Sequence, residues 1–236
     1  MRMRTKKWAR PELHECPWYT DQPEKYAGIW HECFSRTLPF HVELGCGKGV
    51  STSQMVRDEK DINFLVIDMA DNVLGDTRRN IVRELGGDEP DNVRIAKYNI
   101  EYIERILTPK DSVSRIYINF CNPWTKRSRY EKRRLTHPRQ LLKYRTFLKD
   151  GGDILFKTDD ETLWKDSLVY FKVSGFDTVF LTDDLHASGY APNYMSEHEI
   201  MYSERGIPIH FGIFRKLPGD FDFDATRWKI PEECFL

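Results

Sequence analysis

No stretch of this 236-residue chain approaches ~20 uninterrupted apolar residues, so nothing in it reads as a membrane-spanning helix. Residues 1–10 carry five basic side chains and run into Pro11, Glu12 and His14, without the apolar middle of a secretory leader. The expected location is the cytoplasm. Cysteine is sparse: Cys16, Cys33, Cys46, Cys121 and Cys234, with no C-x-x-C and no paired Cys/His spacing. That excludes the usual structural zinc sites and leaves reduced, packed thiols and no metal as the expectation. Internal repeats, low-complexity tracts and Gly/Ser linkers are also missing, and with 40% hydrophobic residues the chain reads as one α/β domain with a sizeable core.

Net charge is nearly absent too, at −1, but the charge is segregated. The N-terminus and the Lys126–Arg134 stretch are basic, the latter with six cations in nine positions, while Asp220, Asp222, Asp224, Glu232 and Glu233 make the end of the chain acidic. Such segregation allows one face to bind a polyanion without a high overall pI. Alone, a Lys/Arg run is more often just a solvated face.

An N-terminal arm, residues 1–37, holds Trp8, Trp18 and Trp30, three of the six tryptophans, and is expected to pack on the body. Strand-like runs follow at Leu38–Leu44, Ile62–Asp68, Asn92–Tyr98, Ser114–Phe120, Asp153–Thr158, Thr178–Thr182 and Pro208–Phe214. Helical patterns lie between most of them, as at Ser51–Arg57, Asp71–Leu85, Pro138–Phe147 and Glu161–Ser174. Strand–helix alternation of this length predicts a doubly wound, mostly parallel seven-stranded sheet in residues 38–216, with an antiparallel edge strand where the last two strands lack a long crossover. Residues 217–236 read as an acidic tail.

The first of these strands runs into Glu43-Leu44-Gly45-Cys46-Gly47-Lys48-Gly49, with a helix beginning near Ser51. Gly45, Gly47 and Gly49 permit a tight strand-to-helix turn and close approach of a ligand to the backbone. A dinucleotide loop would space its third glycine one residue later. An acid ahead of the glycines disfavours a pyrophosphate and suits the ammonium of a methionine moiety, which makes S-adenosyl-L-methionine the expected cofactor. Asp68 ends the next strand, where a carboxylate can accept hydrogen bonds from both ribose hydroxyls. The plainer alternative is a structural turn and an ordinary strand-end acid.

The fourth strand leads into Asn119-Phe120-Cys121-Asn122-Pro123-Trp124, followed by the basic run. Ligands of open α/β sheets sit at the carboxyl ends of the strands. A rigid Pro-Trp beside an amide can wall and read a planar base, and the cations can engage phosphates.

Here the sequence resembles the bacterial tRNA (guanine-N7)-methyltransferases of the TrmB type, over most of the chain to about Lys216. That family's D-P-W-P-K-K-R-H and K-R-R-L are matched by Asn122–Arg129 and Lys132–Leu135, its T-D by Thr158-Asp159, and its T-x-Y-E by Ser196-Glu197-His198-Glu199. The resemblance implies a Rossmann-like class I methyltransferase, monomer or homodimer, that binds S-adenosyl-L-methionine and methylates N7 of a variable-loop guanine in tRNA. By matched position Glu43, Asp68, Asn99 and Asn122 line the cofactor pocket, with Asn122 also at the catalytic position. Lys126, Asp159, Ser196, Glu197, His198 and Glu199 contact the substrate guanosine, and Ser128, Arg129, Lys132 and Arg133 face RNA.

Four positions depart from the family pattern: Asn122 and Asn99 replace acids, Asp68 shortens a glutamate, and His198 replaces a tyrosine. Guanine N7 already carries a lone pair, so alignment with the methyl sulfonium can supply much of the acceleration without a base. Methylation nevertheless develops positive charge on the ring, which a carboxylate stabilises and an amide does not; losing one such interaction costs on the order of 2–4 kcal/mol. Two alternatives therefore accompany the enzyme reading. One is a tRNA- or cofactor-binding paralogue with weak or no methyl transfer, and the other is a methyltransferase of a different planar amine.

Overall fold

The computed structural model describes residues 5–125, 128–219 and 221. Lys126 and nearly all of the acidic tail lie outside them.

The alternating runs form one sheet. In chain order the elements are α1 (Ala9–His14), β1 (Tyr19–Thr20), β2 (Phe40–Leu44), α2 (Val50–Asp58), β3 (Asn63–Asp68), α3 (Asp71–Glu84), β4 (Val93–Lys97), β5 (Val113–Asn119), α4 (Pro138–Phe147), β6 (Leu148–Thr158), α5 (Glu161–Val173), β7 (Phe176–Thr182), α6 (Glu197–Ser203) and β8 (His210–Lys216). All seven expected strands are present. An eighth, β1, comes from the arm, where two residues pair in parallel with β4. A run so short carries no periodicity from which it could be read. The strand order is β1-β4-β3-β2-β5-β6-β8-β7. Pairing is parallel except around β8, which runs antiparallel to both β6 and the outermost strand β7.

Side chains alternate across the sheet as the two-residue period requires. Val42, Leu44, Leu65, Ile67, Ile116 and Ile118 join one core with Leu141 and Tyr144 of α4 and Tyr170 and Phe171 of α5. Phe64, Val66, Ile95 and Tyr117 face the other side, against Leu13 of α1, Met55 of α2 and Leu74 of α3. The arm touches both layers: Trp30 buries in the first, its indole N–H donating to the Ile106 carbonyl (2.7 Å), and Trp18 in the second. The buried Asp111 carboxylate accepts from the Gly28 and Trp30 amides at 2.9 and 3.2 Å and so fastens the intervening turn.

The order of strands reverses beside β2, with β3 on one flank and β5 on the other. The loops leaving β2 and β5 therefore emerge side by side at the carboxyl end of the sheet, where such folds open a crevice.

Two imidazoles on this scaffold, the buried His41 and the half-buried His137, are held towards the neutral form. Burial, reinforced by Arg115 and Lys149, pushes His41 down to about 3. Burial with Arg139 and Arg134 pushes His137 down to about 4, and its Nδ1 accepts the Arg139 amide as the N-cap of α4. In the unfolded chain both would titrate near 6.5. As pH falls below about 6.5 the unfolded state binds these protons first, so their contribution is complete above that pH and declines towards pH 4, by up to roughly 1.4 kcal/mol per unit for His41 and less for the more exposed His137. Urea midpoints should fall between pH 7 and pH 5, and His41→Phe should flatten the decline; a pH-independent midpoint in the unaltered protein would show that the imidazoles are not held neutral.

Candidate functional site

A cleft of about 820 Å³ opens at the reversal point. Its lining includes Gly45 and Gly47 from the turn after β2, Asp68 from the end of β3, Asn99 after β4, and Phe120, Asn122 and Trp124 after β5. The glycine turn and the Pro-Trp segment, 70-odd positions apart in sequence, thus share one wall-to-wall cavity.

The three glycines of the turn have different reasons to be glycine. All three have φ in the left-handed region, at +81°, +55° and +67° for Gly45, Gly47 and Gly49. A Cβ on Gly45 or Gly47 would meet nothing within 4 Å, so the space a side chain would fill belongs to the cleft. A Cβ on Gly49 would lie 2.5 Å from Thr77 Cγ2. Gly49 therefore allows α2 and α3 to pack, and it does not line the cleft.

Asp68 is a strand-end carboxylate largely enclosed by its own turn. Oδ1 accepts from the Met69 and Ala70 amides at 2.7 and 3.1 Å, and Oδ2 accepts from Gly47 N at 3.3 Å. Burial raises its pKa, against the pull of these amides. One of the roughly four lone-pair sites of the carboxylate stays free, on Oδ2, and this suits a hydroxyl donor in the cleft. Asn99 turns its Oδ1 to the Glu101 amide (3.0 Å), capping the 3-10 segment Ile100–Arg105.

Glu43 does not line the cleft. It is 1% exposed, and its carboxylate accepts from the Thr52 hydroxyl and from Asn119 Nδ2 at 3.2 Å. Burial pushes its pKa up, opposed by those two donors. The acid ahead of the glycines thus joins β2, β5 and α2 directly behind the reversal point.

After β5 the chain turns sharply. Phe120 and Trp124 both have φ of +51°, a left-handed conformation that costs a bulky residue about 1 kcal/mol or more. The Phe120 amide is held by the Lys157 carbonyl (3.0 Å). Asn122 is exposed, and its Oδ1 accepts from Trp124 N at 3.0 Å, which leaves the Nδ2 amide NH2 free for a ligand.

Next to Phe120 lies the second predicted cluster. His198 Nε2 is 3.3 Å from Asp159 Oδ1, and this bond lowers the Asp159 pKa. The His198 ring packs 4.9 Å from Phe120 and stacks on Tyr202 at 4.3 Å. Ser196 caps α6 by accepting the Glu199 amide (3.1 Å). Glu197 is exposed and ion-paired to Lys48 at 2.7 Å. Glu199 is fully buried; Lys157 Nζ, Asn193 Nδ2 and His186 Nε2 surround it at 3.0, 2.8 and 3.4 Å. Of the predicted guanosine contacts, Asp159 and His198 are therefore accessible together beside the cleft, while Glu199 acts beneath them. Lys157, which follows the apolar run Ile154–Phe156 in β6 and belongs to no motif in the sequence, is the residue on which Glu199 depends.

The basic run divides. Arg129, Lys132 and Arg133 are exposed, with Arg129 and Arg133 over the Tyr130 ring and Arg133 over Trp124. Ser128 falls in the same 3-10 segment, Ser128–Arg133. Arg134 corrects the reading of the run as a uniform cationic face. Its side chain is 1% exposed, pairs with Asp166 (2.6 Å) and donates from Nε to the Pro123 carbonyl (2.7 Å). Arg134 thereby clamps the Pro-Trp loop onto α5.

A family described as "Putative methyltransferase" matches residues 37–210. Proteins named tRNA (guanine-N(7)-)-methyltransferase from Ruminiclostridium cellulolyticum and Clostridium perfringens strain SM101 are 48% and 49% identical, covering 89% and 92% of this chain and 90% and 100% of theirs. One from Acetivibrio thermocellus is 46% identical over 92% of this chain and all of its own. The chain belongs to the tRNA (guanine-N(7)-)-methyltransferase family. Among solved structures the 16S rRNA methyltransferase KamB is similar with a TM-score of 0.54 at 8% identity, covering 92% of this chain and 96% of its own. The [4+2]-cyclase SpnF is similar with a TM-score of 0.53 at 14% identity, covering 83% and 82%. These two likenesses establish the Rossmann-like class I methyltransferase fold. No helix among the described residues is long and apolar enough to cross a membrane.

Asp68 brings to this cleft a strand-end carboxylate with one acceptor site left open. Asp68→Ala should abolish measurable S-adenosyl-L-methionine binding by calorimetry while the melting curve stays cooperative. Unchanged affinity would remove the carboxylate from the ribose.

Proposed function

We propose that this chain transfers the methyl group of S-adenosyl-L-methionine to N7 of a guanine in tRNA. The single observation carrying this reading is that one cleft unites the glycine turn and Asp68 with the Asn122-Pro123-Trp124 segment. The room left beside Gly45 and Gly47 fits a ligand lying against bare backbone, Asp68 accepts from the ribose, and Asn99 borders the adenine. When bound, the cofactor supplies an electrophilic methyl sulfonium.

The chain's own residues then have positional work. Trp124 and Phe120 wall the purine, and His198, held by Asp159, addresses its edge. Because N7 attacks through an existing lone pair, no group has to remove a proton from it, and orientation dominates. Residues 38–216 carry this chemistry, with residues 1–37 as an arm against the body.

The binding-only alternative is favoured by one observation: the free group of Asn122 is its amide NH2. An N–H donor cannot stabilise the positive charge that develops on the ring.

The decisive experiment is incubation with bulk tRNA and methyl-labelled cofactor, then mapping of the product. N7-methylguanine in tRNA is expected; cofactor and tRNA binding without transfer would establish the paralogue. Asn122→Asp keeps an acceptor for the Trp124 amide and adds a negative charge beside the ring, so kcat/KM should rise, by on the order of 30-fold or more. A clear loss would mean that position 122 does not face the reacting base.

A further inference from the structure

Arg105 and Arg139 also line the cleft, alongside Lys132 and Arg133. Among the described residues none of these four cations is ion-paired. Elsewhere on the surface Arg36, Arg57, Arg79 and Arg215 each have a carboxylate partner, and exposed cations that have none among the described residues, such as Arg83 and Lys172, lie outside the cleft; the four here are distinguished by sharing one cavity. In a chain with 36 basic and 37 acidic residues, four cations without an ion-pair partner along one cavity repel one another. Such an arrangement is stable in water and becomes favourable when a polyanion releases its counterions onto it.

Arg105 and Arg139 come from separate parts of the chain that the fold joins. Arg105 ends the 3-10 segment after β4, and Arg139 lies in the first turn of α4. Gln140 Nε2 donates to the Ile100 carbonyl at 2.9 Å and joins the two. Arg105 lies over the exposed Tyr102 ring at 4.8 Å, which pre-orients its planar guanidinium. The neighbouring Lys143 is tied to Glu104 (3.1 Å), and this leaves Arg105 and Arg139 as the available cations of that wall. The acids on the same cleft are Asp68, Glu101 and Glu104, the first of them turned into its own loop.

We infer that Arg105 and Arg139 each take a phosphate of the tRNA backbone, extending the RNA contact from the Ser128–Arg133 segment along the cleft to the segment after β4. The inference rests on tRNA being the substrate. Phosphate contacts position the duplex without reading its bases, so these arginines set register and orientation, and the Phe120–His198 region selects the base.

The test is the salt dependence of tRNA binding. For Arg105→Ala/Arg139→Ala the slope of log K against log salt should become shallower by about 1.5–2, the loss of two phosphate contacts. The control is Arg83→Ala/Lys172→Ala, which removes two exposed cations outside the cleft and should leave the slope unchanged. The phosphate contact is overturned if the arginine variant keeps the parent slope, or if the control falls equally, since net charge alone would then account for the change. Failure of the unaltered protein to methylate tRNA counts against the function itself. A protein that methylates tRNA with a slope indifferent to Arg105 and Arg139 overturns this inference alone.

Discussion

The Glu43 carboxylate, buried where the strand order reverses, is the constraint on which the site depends. A buried carboxylate left without donors costs several kcal/mol, so the fold must bring donors to it. It takes them from α2, through Thr52, and from the end of β5, through Asn119. Each bond fixes one side of the cleft: the first sets where the helix after the glycine turn begins, and the second sets where the loop carrying Phe120, Asn122 and Trp124 departs. The residue that read as a direct ligand for the methionine ammonium instead determines the spacing of the two loops that meet a ligand. Burial raises its pKa, and its donors oppose that shift.

A second buried charge performs the corresponding task one strand further along. The Lys157 ammonium donates to Glu199, to Asn193 and to the Tyr194 carbonyl, while its backbone carbonyl holds the Phe120 amide. Burial depresses its pKa and Glu199 opposes that shift. A buried ion pair contributes little net stability compared with a well-packed apolar pair, whereas losing one partner is strongly destabilising. Its value here is geometric: it ties α6, and with it His198, to the same backbone that presents Phe120. Glu43 and Lys157 are adjacent in this arrangement, since Asn119 bonds Glu43 through its side chain and is the register partner of Lys157.

These two charges also mark the boundary of what the sequence reveals. Strands β2 to β6 and helices α2 to α5 were legible because hydrophobic period and alternation are local properties. The convergence of the glycine turn with the Pro-Trp segment was legible as well, since alternation implies parallel strands and parallel strands put both loops at one end. Burial of an individual polar side chain is not local. Glu43, Glu199 and Arg134 each sit in a motif that reads as ligand-facing, and each is turned inward by partners 9 to 76 positions away. Arg134 follows directly on the 3-10 segment that ends at Arg133 and turns inward where Arg133 stays exposed, a difference no run of like charges discloses. The strand β1 escaped for the opposite reason, being too short to have a pattern.

Fold alone would not have chosen a reaction. The scaffold is similar both to a 16S rRNA methyltransferase and to a [4+2]-cyclase, so function has to be argued from what stands in the cleft. The substitutions at Asn99, Asn122 and His198 bear on that argument unequally. Asn99 spends its carbonyl on the Glu101 amide, a role an acid would fill in the same way, so the exchange there leaves the geometry intact. His198 is enclosed by two aromatic rings and oriented by Asp159, which preserves an aromatic presenting a polar edge. Only Asn122 changes the sign of what the cleft offers, because its carbonyl is committed to the backbone and its amide NH2 remains. Binding, orientation and catalysis are therefore separable in this protein. On the proposed function the first two fall to Asp68, Phe120, Trp124 and the cations, which line one cleft, and the third depends on how much charge stabilisation a reaction driven mainly by alignment requires.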